Sequence, residues 1–267
     1  MKTQVGNSYT YGGGMVISGG KLKVTTAGRN AEGIESKNYL NITGGEIYIN
    51  AYDDGINSAQ DMTITGGYVY SHSNNNDGID ANGNIYLNGG LVYAMGSRSP
   101  ELGIDANSEE QKKVYVNGGV IIAVGGIENG AAYNQPKIQQ SNVSGNTWYT
   151  ITYDENVIAF KTPTISTGGG PGGPGGPGGN SGGLVISAPS APSLANGNNV
   201  TDGTSYFEGN CYVEGNGGSE GIDEVEAEQQ INDPRVFTLD GRQLGTVVPA
   251  TFRGVYIQNG KKHIKLQ

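Results

Sequence analysis

The chain has 267 residues, 47 of them glycine, a formal net charge of −9 and one cysteine, Cys211. That charge argues against nucleic acid and anionic membrane surfaces as partners, and it suits cations or acidic polymers reached through a cation. A single cysteine excludes an intramolecular disulfide framework, no stretch is apolar enough for membrane insertion, and the polar start Met1-Lys-Thr-Gln-Val-Gly shows no signal peptide.

In chain order, residues 1–130 carry a repeat, entered midway at Tyr9 to Gly20 as at a fragment boundary. Double glycines begin at Gly19, Gly44, Gly66, Gly89 and Gly118, in steps of 25, 22, 23 and 29 residues. A near-constant period of this size signals a solenoid. Apolar residues alternate on both sides of each pair: Leu40 and Ile42 then Ile47 and Ile49, or Ile85 and Leu87 then Val92 and Ala94. Alternation on both sides of a glycine corner predicts two short strands with one buried face. A Gly-Ile step, with Ser36, Ser58, Ala81 and Ala106 two residues beyond each Ile, predicts a third. Three short strands per turn give an all-β parallel β-helix of about five turns plus a cap. No segment has the long 3.6-residue pattern of a helical solenoid.

Beyond Gly125 the register fades, where a cap is needed to cover open strand edges. Trp148 to Tyr153 and Val157 to Phe160 read as its strands, and Val200 to Val213 completes it. Residues 167–183 hold Pro171-Gly-Gly-Pro-Gly-Gly-Pro-Gly-Gly and read as a disordered tip, joining Ile158-Ala-Phe-Lys-Thr-Pro to Leu184-Val-Ile-Ser-Ala-Pro as a hairpin. Residues 1–214 thus form one domain and the polar, acidic 215–233 a linker. Hairpin signals at Asp240-Gly241 and Asn259-Gly260 predict a small antiparallel β-module over 234–267, too short to fold robustly alone.

Stacking at about 4.8 Å turns the repeats into columns. Immediately before the glycine of each Gly-Ile step stand Glu32, Asp54, Asp77 and Leu102. Two residues after it stand Glu35, Asn57, Asp80 and Asp105, and two before it Ala31, Asp53, Asn76 and Glu101. Carboxylates one turn apart repel by roughly 3 kcal/mol per pair at an effective dielectric near 20. Oxygen donors without His or Cys select a hard cation, Ca²⁺ before Mg²⁺. The bland alternative is a row of exposed Asx-turn residues ending strands. A second column, Lys23, Tyr48, Tyr70, Tyr93 and Ile122, points out of the coil. Its tyrosines serve either as cross-strand stacking or as a platform for sugar rings.

Catalytic chemistry has little support. His72 and His263 are the only histidines, and neither has a Ser or Cys partner, so triads and zinc sites are unsupported. A calcium-assisted lyase needs a basic residue beside the metal. Arg29 and Arg98 are the candidates, with Lys37 weaker. Asp53 and Asp54, adjacent in one turn, cannot flank a glycosidic bond from opposite sides.

The series Gly44-Gly-Glu-Ile-Tyr-Ile-Asn-Ala-Tyr-Asp-Asp-Gly-Ile-Asn, Asn75-Asn-Asp-Gly-Ile-Asp-Ala-Asn and Ser99-Pro-Glu-Leu-Gly-Ile-Asp-Ala-Asn resembles the bacterial carbohydrate-binding domain family with a right-handed parallel β-helix, over about residues 9–214. The resemblance implies calcium at the Asp-Gly-Ile turns, held by Asp53, Asp54, Asp77, Asp80, Glu101 and Asp105, and binding of cellulose-like or pectic polysaccharide without catalysis. Leu102 departs from the aspartate of its column. The tail, from Val236-Phe-Thr-Leu-Asp-Gly-Arg to Arg253-Gly-Val-Tyr-Ile-Gln-Asn-Gly-Lys-Lys, is similar to C-terminal β-modules of type IX-secreted proteins of Gram-negative bacteria. That likeness implies export to the outside or the outer cell surface, with attachment through the module. The expected function is a calcium-binding polysaccharide-binding solenoid; a pectate-type lyase and a structural adhesion module are the alternatives.

Overall fold

Strand upon strand stacks in the register that the repeats dictate. The computed structural model describes residues 2–3, 13–97, 101–141, 143–164, 183–214, 236–238, 243–249, 254–258 and 261–265. Among these, helix is confined to the single 3-10 turns Ser108–Glu110 and Phe207–Gly209. Two units separate, Met1–Ile222 and Asp223–Gln267. The first opens with β1 (Lys2–Thr3), β2 (Met15–Thr25), β3 (Ile34–Ser36), β4 (Leu40–Ala51), β5 (Ile56–Ser58) and β6 (Met62–Ile64). There follow β7 (Tyr68–Ser73), β8 (Ile79–Ala81), β9 (Ile85–Met95), β10 (Ile104–Ala106), β11 (Val114–Val124) and β12 (Ala132–Tyr133).

The short strands β1, β3, β5, β8 and β10 pair in that order as one parallel sheet. The long strands β2, β4, β6 with β7, β9 and β11 pair as another, each bent at its Gly-Gly. The result is a stacked-coil β-solenoid of about four turns. Ile34, Ile56, Ile79 and Ile104 stand in one register, as do Leu40, Met62 and Ile85. All seven are buried in a single core that runs the length of the stack. Alternation drives this: each strand turns every second side chain inward, and stacking the turns removes those side chains from water.

The bend demands glycine. Gly67 has φ +90°, and a Cβ there would lie 2.8 Å from the carbonyl oxygen of Gly45 in the turn below. Gly90 has φ +84°, and its Cβ would come within 2.6 Å of the Gly67 oxygen. A side chain at either position would force the coils apart.

The remaining strands of this unit are β13 (Lys137–Gln140), β14 (Trp148–Tyr153), β15 (Asn156–Lys161), β16 (Leu184–Ser187), β17 (Ser193–Asn196), β18 (Gly203–Tyr206) and β19 (Cys211–Glu214). The expected hairpin of β15 with β16 does not form. β16 runs antiparallel between β11 and β13, whereas β15 lies in a separate antiparallel sheet, ordered β17-β14-β15-β19-β18. The near-mirror sequences around the Gly/Pro run therefore serve different layers; residues 167–182 themselves, like 215–233, lie outside the described residues. The antiparallel sheet packs Phe160 and Tyr149, and the 3-10 turn at its edge packs Phe207, into a second core against the outer side of the trailing halves of β7, β9 and β11. The short second unit holds β20 (Val236–Thr238), β21 (Gln243–Gly245), β22 (Gly254–Gln258) and β23 (Lys261–Lys265), an antiparallel sheet ordered β21-β20-β22-β23.

Candidate functional site

The sheet of short strands gathers the acidic residues. Its register sets Glu35 beside Asn57, Asn57 beside Asp80, and Asp80 beside Asp105. Ile127 bridges Ile104 in parallel, so Glu128 follows Asp105 as one more rung. Glu128 was missed in the sequence, although Gly126-Ile127-Glu128 reproduces Gly103-Ile104-Asp105; the lengthened turn before it hid the match. Its side chain is only 7% exposed, and Oε2 has no hydrogen-bond partner.

Neighbouring rungs differ in how their charge is met. Lys37 pairs with Glu35 at one end of the file. Asn57 Nδ2 donates to Asp54 Oδ2 at 3.0 Å and to Asp80 Oδ2 at 2.9 Å, holding two carboxylates together through one amide. Among the described residues no cation pairs with Asp80, Asp105 or Glu128. Asp54 and Asp77 sit one file over and are nearly buried. Each accepts a backbone N–H from the next turn: Asp77 N–H donates to Asp54 at 3.0 Å, and Leu102 N–H donates to Asp77. These two thus tie successive turns together, and Leu102, the exception in sequence, is the donor that completes the chain. Glu101 is half-buried nearby, and Asp53 donates its backbone N–H to the Ala31 carbonyl at 3.2 Å.

Electrostatics mark the file as short of positive charge. Burial pushes the Asp77 carboxyl up to about 8, and Asp105, Glu101 and Asp54 add to it against the Leu102 N–H. Burial, then the charges of Asp54 and Asp105, lift Asp80 to about 7. Asp105 rises to about 6, chiefly by burial. Asp54, Glu101 and Glu128 are raised, again by burial first. Among the described residues no three acidic, His or Cys side chains converge on one point. What the fold supplies is pairs of oxygen donors on adjoining turns, and an orphaned carboxylate oxygen on Glu128. A hard cation bridging two turns, its shell completed by water, suits such donors.

The tyrosine column takes a different place from the one expected. Its residues do leave the coil on one side, but the antiparallel sheet covers Tyr70 and Tyr93. Tyr93 is 0% exposed and Tyr70 5%; Tyr48 is half-buried. Tyr48 stacks on Tyr70 at 4.7 Å, whereas Tyr93 stands perpendicular to Tyr70 and edge-on to Phe160 at 5.4 Å. The Tyr93 hydroxyl donates to the Lys161 carbonyl at 2.8 Å. Neither Tyr70 nor Tyr93 keeps a flat face for a sugar, and both are core of the second layer. Alternation gives the direction of a side chain and is silent about what packs over it.

Of the basic candidates, the two among the described residues stand apart from the file of Asp80, Asp105 and Glu128. Arg29 is exposed in the turn after β2, Lys37 is engaged with Glu35, and Arg98 lies outside the described residues. His72 is largely enclosed, and burial lowers it to about 4.

A family model described as carbohydrate-binding domain-containing protein matches residues 9–162, more than half of the chain. No curated protein and no solved structure matches.

Proposed function

The chain belongs to the family of carbohydrate-binding domain-containing proteins, and from that premise we propose a calcium-binding solenoid that binds polysaccharide, cellulose-like or pectic, without cleaving it. The observation that carries the metal half is the run Asp80–Asp105–Glu128, three acids on successive turns without a cationic partner among the described residues. Calcium would be held between turns by Asp80, Asp105 and Glu128, with Asp77 and Glu101 alongside. When bound, it offers a uronate carboxylate a positive partner on an otherwise repelling face. A Kd on the order of 10⁻⁴ M, the range of extracellular calcium modules in general, is expected.

We further propose that the protein works outside the cell, where calcium is plentiful, and that the 234–267 module serves export or attachment. Calorimetric titration with Ca²⁺ and affinity electrophoresis in polygalacturonate, with and without chelator, test this reading. Heat release and calcium-dependent retardation are expected. No calcium uptake would remove the metal, and no retardation on pectic or cellulosic polymers would remove the binding function. Incubation with polygalacturonate should release no unsaturated product by ultraviolet absorbance.

A further inference from the structure

The solenoid has three outer faces, and two of them are taken: the trailing halves of the long strands lie under the antiparallel sheet, and the short strands carry the acids. The leading halves of β2, β4, β9 and β11, with β6, form the third. Their outward positions hold only Val, Ser, Thr, Asn and Tyr, with no charge, in a chain of net charge −9.

Two features repeat along this face at the step of the coils. Tyr86 and Tyr115 occupy neighbouring turns in register, with rings parallel to within 9° and centroids 5.1 Å apart. At that spacing parallel rings slide across one another by roughly 3–4 Å, leaving part of each face open to solvent. The next position in register is Ala132, so nothing of the fold's own continues the stack beyond Tyr115. Beside the rings runs an exposed amide ladder. Asn117 Nδ2 donates to Asn88 Oδ1 at 2.7 Å, and Asn134 Nδ2 donates to Asn117 Oδ1 at 2.6 Å. Asn117 and Asn134 each spend one N–H in the ladder and keep another for a ligand, while Asn88 enters it only as an acceptor.

We propose that this face binds an uncharged, extended β-1,4-linked polysaccharide running along the solenoid axis, one sugar per coil. The proposal rests on the carbohydrate-binding reading above and assigns it to a surface that the acidic file does not share. The 5.1 Å ring step is close to the advance per sugar of an extended β-1,4-linked chain. Two successive sugars, at Tyr86 and Tyr115, can therefore meet an aromatic face on one side and an amide on the other without changing register. Apolar C–H faces of the sugars suit the tyrosines, and their hydroxyls suit the amides. An uncharged face neither attracts nor repels a neutral chain, so this binding needs no metal.

The test is affinity electrophoresis of the full chain in hydroxyethylcellulose, a soluble neutral β-1,4-glucan, and in parallel in polygalacturonate with calcium. The Tyr86→Ala/Tyr115→Ala pair should weaken glucan binding about tenfold or more, the corresponding Phe pair should keep it, and chelator should leave it unchanged. Calcium-dependent polygalacturonate binding should survive in both. Full glucan binding by an alanine pair of unchanged Tm overturns the inference, as does loss of glucan binding on chelation. Should the alanine pair not fold, Asn117→Asp, which puts a charge into the ladder, must weaken glucan binding; unaltered binding overturns the inference. Wild-type protein that binds polygalacturonate alone refutes this face and leaves the calcium reading standing, whereas binding to neither polymer ends both.

Discussion

At the scale of single residues, the carboxyls of the short-strand sheet make stability depend on pH in an unusual direction. Asp77, Asp80 and Asp105 have folded-state values of about 8, 7 and 6 against an ordinary 3.8. Between those limits the folded protein keeps protons that the unfolded chain has released. Their stabilisation is therefore complete below about pH 4 and is lost as pH rises through 6, 7 and 8. In chelator, Tm should fall by several degrees from pH 5 to pH 8, a loss of a few kcal/mol. Saturating calcium should abolish most of that fall, because the cation replaces the protons. A Tm that stays level or rises over this range in chelator counts against the buried acidic file. Glu128→Gln should raise Tm in chelator and reduce the gain on adding calcium, both read by thermal melts.

At the scale of elements, the Gly-Gly bend and the covered aromatic column carry the architecture. Gly67→Ala places a methyl against the Gly45 carbonyl at a positive φ, and it should cost about 2 kcal/mol or more. Tyr93→Ala should cost about 3–5 kcal/mol by opening a cavity between coil and antiparallel sheet. Tyr93→Phe should cost about 1 kcal/mol, from the hydrogen bond to Lys161. Denaturant melts measure all three. Among stably folded variants, Tyr93→Phe should bind polysaccharide as the wild type does, since its ring is out of reach of any ligand.

At the scale of the whole molecule, the stack of coils was legible in the sequence because a solenoid repeats its geometry. Ile34, Ile56, Ile79 and Ile104 announce one column by spacing alone, and the structure pairs them in that order. Glu128 was legible too, through Gly126-Ile127, once the irregular turn before it is set aside. What the sequence could not show is how a second layer docks. Strand alternation turns both Tyr93 and Tyr86 outward, yet Tyr93 lies under Phe160, whereas Tyr86 stays half-open beside Tyr115. Nothing local distinguishes them, because the difference comes from β14 and β15, more than 50 residues further on. The placement of β16 was likewise invisible, since its partner is chosen by the last coil and not by its sequence twin.

That placement governs self-association. The last coil of a parallel stack displays the same row of N–H and C=O groups that captured it, a template onto which another molecule's first coil could add without limit. β16, laid antiparallel along Ile121–Val124, occupies part of that row with strand polarity opposed to the coils. A strand so placed opposes head-to-tail addition, and Ile186→Pro, which removes a backbone donor from it, should increase self-association, read by light scattering and as filaments in electron microscopy; an unchanged particle size counts against this role.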